Sequence, residues 1–443
     1  MDLTQQPRTA CLTQPDAAVI GGGPVGCVAA LALAERGRRV VLLEGNPRSA
    51  RRLAGEWIHP AGVQVLQRLG LHALIGESYV VRGFAVFPGD GSPSILLQYP
   101  DGKTGLTREH FDLVDALRRA ASAHPNVHLV PGAHAIAIEG QRVSFKVPEE
   151  NGQTTAVHTV AAELIVGADG RSSLARRCLG LADRRTDISS MAGVLLEDVD
   201  VLYPGYGQVL LGGPGPILAS PIGPRRVRLF LDLPPGKAEK DTAFLWTAFE
   251  GVVHRRWRDA FQRALVDRQV FWAANQWRPR LHYGRPGLAL VGDAVGHYHP
   301  LTAVGLTLGF LDAACLAESR TFVEYRRQRT AHCGVPQLLA DSLYKAFTND
   351  DPGSLAVRSA IFRAWRQCPA ECRRTMRLLS GEEIDVGHFH RAFVRVLTLA
   401  LQGLLHDSLL PRRWRQVART LGGFSRWLQW LSADHAISSP VPS

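Results

Sequence analysis

No stretch of this 443-residue chain runs to roughly 18 apolar residues without interruption, so a membrane-spanning helix is not expected. The first twenty residues hold no basic segment followed by an apolar one, and no signal peptide is read there. The seven cysteines (Cys11, Cys27, Cys178, Cys315, Cys333, Cys368 and Cys372) are scattered and odd in number. That argues against a disulfide framework and for a reducing compartment. Cys368 and Cys372 stand four apart, but no second Cys/His pair completes a zinc site, so no metal is expected. Repeats and low-complexity tracts are absent too. Acid is in deficit: 51 Lys and Arg against 40 Asp and Glu leave a formal charge of +11. Much of the excess lies late. Between Pro411 and Leu431 there are five arginines, three tryptophans and no acid, after an apolar stretch, Phe393–Leu405, that carries Arg395 and Gln402. Basic helices with Trp and Leu suit a membrane interface, which gives peripheral membrane contact through 393–431. A helical cap packed on the core is the alternative. No nucleic-acid recognition motif accompanies the charge, so nucleic acid is not expected as a partner.

What is present begins near the N-terminus. Ala17–Ile20 is a short apolar run, glycines follow, then an Ala/Leu-rich segment from Cys27 to Glu35, then a second apolar run, Val40–Leu43. This is strand, turn, helix, strand, with Gly21, Gly23 and Gly26 in G-x-G-x-x-G register. Gly21 permits the turn, Gly23 lets backbone approach a pyrophosphate, and Gly26 lets helix lie close on strand. The helix N-terminus then faces the phosphates with unpaired N–H groups. Glu44, 23 residues after Gly21, ends the second strand, where a carboxylate accepts from ribose hydroxyls. The motif indicates a dinucleotide without choosing between NAD and FAD.

Two later motifs make the choice. Leu164–Val166 is a buried strand leading into Gly167-Ala-Asp169-Gly170, where Asp169 and Arg171 serve structure and pyrophosphate together. Leu288–Val291 delivers Gly292-Asp293 to a turn, with a helix expected from about Thr302. Asp293 is placed to hydrogen-bond a ribityl hydroxyl. Gly305 and Gly309 would admit a flat ring, and the helix N-terminus would favour negative charge on it. His297 and His299 read as shape and hydrogen-bond elements more than as a base. The three motifs, in this order, are the layout of an FAD-dependent monooxygenase.

The expected fold is α/β: a Rossmann-like FAD-binding domain, an antiparallel-sheet substrate domain and a helical C-terminal region. Residues 1–15 form a disordered lead, 16–185 the first part of the FAD-binding domain with an inserted segment, and 186–284 the substrate domain. Residues 285–330 return to FAD, and 331–443 are helical. Val143–Val147 and Thr155–Val160 are expected to pair across an Asn151-Gly152 turn.

The motifs resemble the group A flavoprotein monooxygenases of para-hydroxybenzoate-hydroxylase type over most of the chain. Within that fold the squalene epoxidases look most similar. Gly55-Glu56-Trp57-Ile58-His59-Pro60 with Gly62, His299-Pro300-Leu301-Thr302 with Gly305-Leu306-Thr307, and Ala340-Asp-Ser-Leu-Tyr344 are similar to that family's signatures, as are Leu355, Arg358 and the Gly381 region. Membrane-bound ubiquinone-pathway hydroxylases share the His-Pro-Leu turn but match the Gly55–Gly62 stretch less well. The resemblance implies Pro24 and Val25 on FAD in the first turn and Glu44 on its ribose. It places Arg52 near the phosphates or ring, Arg118 on the helix at Phe111–Ala123, and Asp293 and Leu306 beside the isoalloxazine.

Four departures stand out. Gly45 follows the ribose acid where Arg is usual. Phe84 occupies the place of an active-site Tyr, His59 that of the Gln bonded to it, and the N-terminal anchoring region of the eukaryotic enzymes has no counterpart. The implied activity is insertion of one O2-derived oxygen into a lipophilic isoprenoid-type substrate, by alkene epoxidation through a flavin hydroperoxide. NAD(P)H would supply the electrons, directly or through a reductase partner, in a cytoplasmic protein peripheral on the membrane. Trp57 and Phe84 would line the cavity, with His59 the polar group nearest the flavin. Hydroxylation of a prenylated aromatic, quinone or quinoline ring is the alternative, with His59 as base. Alkene reduction and a flavin-binding scaffold without turnover keep the same fold.

Overall fold

The computed structural model describes residues 15–46, 52–148, 155–181, 185–235 and 241–408. Its first layer is a six-stranded sheet in the order Gly284–Arg285, Leu288–Leu290, Leu164–Gly167, Ala17–Ile20, Val40–Glu44, Val127–Pro131. All neighbours are parallel except the edge pair Gly284–Arg285 with Leu288–Leu290. A parallel sheet covered on both faces reads as unbroken apolar runs, and Ala17–Ile20, Val40–Leu43 and Leu288–Leu290 are buried throughout. The register pairs Ile20 with both Leu43 and Gly167, and Gly167 with Leu290. Three motifs more than a hundred residues apart therefore leave the sheet at one edge, the carboxyl ends of its strands, where ligands of such sheets bind.

The helix Pro24–Ala34 is apolar all round and buried everywhere except at Val25, which is the pattern of a central helix. It packs between the sheet and the helix Gly305–Glu318. The contact is close because Gly309 lies there: a Cβ on it would stand 2.3 Å from Val25 Cγ2. Gly309 thus serves helix packing, not the approach of a flat ring as expected from sequence. That helix also starts at Gly305, later than Thr302, because Pro300–Thr302 forms a separate 3-10 turn.

A second, seven-stranded sheet runs Val270–Trp277, Thr186–Glu197, Arg226–Leu233, Ile217–Gly223, Tyr206–Leu210, Gly83–Phe87, Ile95–Gln98. It is antiparallel except where Tyr206–Leu210 lies parallel to Gly83–Phe87. The substrate domain placed at 186–284 therefore also takes two strands from the segment inserted in the first domain. The boundary placed at 330 falls inside one continuous helix, Phe322–Thr348. Arg142–Pro148 and Thr155–Ala161 pair as expected, while the Asn151-Gly152 turn lies outside the described residues.

Helices Phe322–Thr348, Pro352–Gln367, Pro369–Leu379 and Val386–Ser408 close the open side of the second sheet. In the last of them Phe389, Phe393, Leu397 and Ala400 share a buried stripe within the helical core. Arg395 pairs with Glu371 at 2.9 Å. The apolar face at 393–400 is thus occupied by the protein itself, which is the cap alternative to the membrane reading. Among the described residues no helix is long and apolar enough to cross a membrane. The Arg/Trp segment after Pro411 lies outside them, as do residues 1–14.

Candidate active site

A single long cleft runs from the glycine turn, along the carboxyl ends of the parallel strands, to one face of the second sheet. At the glycine end the backbone is tight against itself. Gly21 has φ +103°, and a Cβ on Gly26 would lie 1.7 Å from the Gly21 carbonyl oxygen. Gly23 is different: a Cβ there meets nothing within 4 Å and would project into open space at the cleft. Such a cradle beside a helix N-terminus fits a pyrophosphate. Glu44 accepts from the N–H groups of Gly22 (2.8 Å) and Asn46 (2.7 Å) and pairs with Arg118 at 2.7 Å. Arg118 also donates to the Gly22 carbonyl at 2.7 Å. The two expected ligand contacts thus brace each other and the turn.

Pro24, Val25, Arg52, Asp293, Gly305 and Leu306 all line the cleft, as the sequence led one to expect. Asp169 does not. Its Oδ2 accepts from the N–H groups of Leu174 and Ala175 at the start of the helix Leu174–Cys178, leaving Ala168, Gly170 and Arg171 on the cleft. Burial works against the charge of Asp293, but the Arg171 guanidinium, 3.4 Å away, holds its carboxyl below the ordinary value. His297 lines the same wall; among the described residues neither ring nitrogen has a hydrogen-bond partner, and burial lowers its pKa to about 4. Gly305, at its helix N-terminus, likewise has room beside it. An open cradle, a carboxylate held charged and an unpartnered ring fit the pyrophosphate, ribityl chain and ring of FAD.

The turn carrying Asp293 is held by a residue that sequence reading passed over. Asp312, fully buried in the helix Gly305–Glu318, accepts from Arg280, from Arg329 Nε at 2.7 Å and from the Gly292 N–H at 2.9 Å. Arg280 also donates to the carbonyls of Gly292 and Gly296. The signal was an acid in the middle of an apolar helix, because an unpaired buried carboxylate is too costly to persist.

The three residues taken as catalytic fare differently. Trp57 lines the cleft. Phe84 is buried behind it, the two rings stacked at 4.5 Å, and does not reach the cleft. His59 is fully buried and does not reach it either. Its Nε2 faces the Thr302 carbonyl at 2.9 Å and its Nδ1 the Tyr99 hydroxyl at 2.7 Å. A carbonyl only accepts, so Nε2 carries the proton and Nδ1 accepts from Tyr99, which in turn accepts from Trp57 Nε1 at 3.1 Å. This chain of bonds ties the Trp57 wall to the turn before the helix Gly305–Glu318. It corrects the reading of His59 as base or as the polar group nearest the flavin. Tyr99, unnoticed in the sequence, immediately follows the strand Ile95–Gln98 that pairs with Gly83–Phe87.

These rings predict a pH response. Burial lowers His59, His110 and His297 to about 4, so the unfolded chain takes up protons first as pH falls below about 6.5. Their contribution is present above 6.5 and lost on descent through 4, on the order of 3 kcal/mol for a fully buried ring. Glu56, pushed up to about 7 by burial, acts oppositely: its contribution is full below 4.5 and lost as pH rises through 7. Three rings outweigh one carboxyl. The thermal midpoint should fall between pH 7 and 4.5, and less steeply in His59→Gln; a flat profile would contradict the burial of these rings.

The far wall of the cleft is a strand face on which side chains recur every second residue: Met191, Leu218 and Ser220, Phe230 and Asp232, Ala273 and Asn275. At one end Asp232 Oδ1 accepts from Ser189 Oγ (2.5 Å), Asn275 Nδ2 (3.1 Å) and His299 Nε2 (3.0 Å). His299 Nδ1 accepts from the Leu301 N–H, the shape role expected of it, and its ring stacks on Tyr344 at 3.8 Å. Asp232 was also missed, although an acid directly after the apolar run Leu229–Leu231 was the available signal.

Residues 14–319 match the family described as FAD binding domain, and the chain belongs to that family. FAD is accordingly its cofactor. In sequence it is related to the squalene epoxidases. Squalene monooxygenase of Mus musculus is 25% identical over 378 residues, 80% of this chain, which spans 66% of that relative's length. Squalene epoxidase erg1 of Aspergillus fumigatus is 29% identical over 385 residues, 79% of this chain and 78% of its own. In fold, the flavin-dependent brominase Bmp2 superposes with a TM-score of 0.68 at 16% identity, covering 90% of this chain and 100% of that one. Pseudomonas aeruginosa PqsL in complex with 2-aminobenzoylacetate gives 0.63 at 18% identity, covering 83% and 99%.

Proposed function

We propose that this protein is an FAD-dependent monooxygenase that inserts one O2-derived oxygen into a lipophilic isoprenoid-type substrate, by alkene epoxidation. The observation that supports it is the continuity of the cleft: the Gly23 cradle, Asp293 and Gly305 open without interruption onto Met191, Leu218 and Phe230. FAD, when bound and reduced, supplies O2 activation and the reducing electrons. The chain's own residues bind, orient and exclude water. The Gly21–Gly26 turn takes the phosphates, Asp293 a ribityl hydroxyl, and the Gly305 helix N-terminus developing negative charge. Trp57, held by Tyr99, and the apolar strand face keep the reacting end dry. Epoxidation asks for no base, which agrees with His59 being sealed off. The electrons come from NAD(P)H, directly or through a reductase, and the basic segment after Pro411 gives peripheral contact with a membrane.

Hydroxylation of a prenylated aromatic ring is the second reading, favoured by the Asp232–His299 pair on the cleft, where a phenolic proton could be taken. The test is incubation of FAD-loaded protein under 18O2 with NADPH and a reductase. Squalene, geranylgeraniol or a prenylated hydroquinone is added and the product is followed by mass spectrometry. Label in an epoxide is the expected result. Label on a ring selects the second reading, and no label with any of them overturns both.

A further inference from the structure

The ring of His110 has one nitrogen in use and one to spare. His110 opens the helix His110–Ala123, is 4% exposed and lines the cleft. Its Nδ1 lies 3.0 Å from the Gly55 carbonyl, which only accepts, so Nδ1 carries the proton and Nε2 is left as a bare acceptor. Among the described residues no donor reaches Nε2, and the atom is not sealed off by protein. Burial lowers the pKa of the ring to about 4, and the Arg52 and Arg118 guanidiniums act in the same direction, so it stays neutral. A ligand that displaces water from such an acceptor must bring a donor of its own. Two contacts fix where along the cleft the acceptor stands. Arg118, about 12 Å further along the same helix, is the residue that holds the Gly22 carbonyl and Glu44 at the phosphate turn. Gly55 instead packs on Leu306, since a Cβ on it would stand 3.2 Å from Leu306 Cγ, and Leu306 follows Gly305 at its helix N-terminus. His110 therefore serves the Gly305 end of the cleft.

We propose that His110 Nε2 accepts a hydrogen bond from the N3–H group of the flavin ring, and so fixes the pyrimidine edge of FAD. The inference rests on reading the Gly305 end as the place of that ring, and not on which substrate is oxidised. The edge of an oxidised isoalloxazine presents N1, N5 and two carbonyls as acceptors and a single N–H, at N3, beside the C2 carbonyl. Unpaired N–H groups at the Gly305 helix start suit N1 and the C2 carbonyl. The N3–H next to them calls for an acceptor, and a neutral imidazole with its other nitrogen already donating can only accept. A charged side chain here would add a field to the ring, whereas His110 holds it in place without one.

The test titrates protein stripped of flavin with FAD and with 3-methyl-FAD, which has no N3 donor, and reads flavin fluorescence. Wild type is compared with His110→Phe, whose ring is of similar size but cannot accept. Losing the bond to Gly55 affects both flavins alike, as does any crowding by the methyl group, so the ratio of affinities isolates the N3 bond. The preference for FAD over 3-methyl-FAD is expected to be about five- to a hundred-fold smaller in the variant than in wild type. A preference unchanged to within about twofold would overturn the assignment of His110 and leave the FAD site standing. Failure of wild type to bind either flavin would remove the ring site and this inference with it. A second measurement needs no variant. In wild-type protein with 15N-histidine and 15N-FAD, scalar coupling is expected across the hydrogen bond between N3 and an unprotonated histidine nitrogen. A resolved N3–H resonance without that coupling would overturn the proposal, so a variant that does not fold cannot mask the result.

Discussion

Gly23→Val is expected to fold as the wild type does and to hold no FAD. The residue is in extended backbone, φ −74° and ψ −179°, which valine adopts without strain, and its Cβ would touch nothing in the protein within 4 Å. The side chain would fill only the space read as the pyrophosphate cradle. Loss of about 2.7 kcal/mol or more of phosphate contact lowers affinity by roughly 100-fold or more. Flavin absorbance per mole of protein should therefore fall to background, while the thermal midpoint matches that of wild-type protein stripped of FAD. Gly26→Val is the contrast. Its Cβ would overlap the Gly21 carbonyl oxygen at 1.7 Å, so helix and strand must separate and fold is lost along with flavin. Full flavin occupancy in the Gly23 variant would defeat the assignment of the cradle.

Asp312→Ala should be strongly destabilising. The carboxylate is fully buried between Arg280 and Arg329, each with a side chain no more than 3% exposed. Burial alone would lower the pKa values of both guanidiniums, and Asp312 more than compensates, raising them above their ordinary values. Removing the acid leaves two buried cations and an unpaired Gly292 N–H. Breaking a buried ion pair costs about 3–5 kcal/mol, a large share of a domain's total of roughly 5–15. The midpoint of any soluble protein should drop by about 3–5 °C, and FAD content should fall because the Gly292-Asp293 turn loses its anchor. Asp312→Asn keeps the shape without the charge and should fail nearly as badly. An unchanged midpoint would mean that the arginines are not buried as described.

The covalent order of residues was enough for everything local. A strand, a glycine turn and an apolar helix at 17–34 follow from spacing, and the convergence of the Gly21, Asp169 and Asp293 motifs follows from three buried parallel strands. Short strands separated by Gly/Pro turns from about Ser189 to Leu233 were enough to read an antiparallel sheet. Parallel pairing of Tyr206–Leu210 with Gly83–Phe87 was not readable, since those strands are joined by more than a hundred residues and each offers the same alternation to any neighbour. Where a helix crosses a presumed boundary, as at 330, local propensity is continuous and gives no sign of it.

Side-chain direction was the harder matter. His59, Phe84 and Trp57 lie within a short span of the chain and looked alike as wall residues. Only packing shows that Trp57 faces the cleft while Phe84 stacks behind it and His59 is closed between Tyr99 and Thr302. Asp169 and Asp293 both lie within two residues of a glycine at a strand end, yet one caps a helix and the other faces the cleft. Gly23 and Gly309 are both small residues beside a helix, one open to ligand space and one pressed on Val25. By itself the sequence determined the chemistry available: a glycine turn at a helix N-terminus, a carboxylate at a strand end and an apolar wall, all set by residue type and spacing along the chain. The tertiary structure alone decided which polar groups remain for a ligand, because a hydrogen bond or ion pair depends on what lies opposite in space. That is why Asp312 is wholly used by Arg280, Arg329 and the Gly292 N–H, while Asp293, beside Arg171, lies on the cleft.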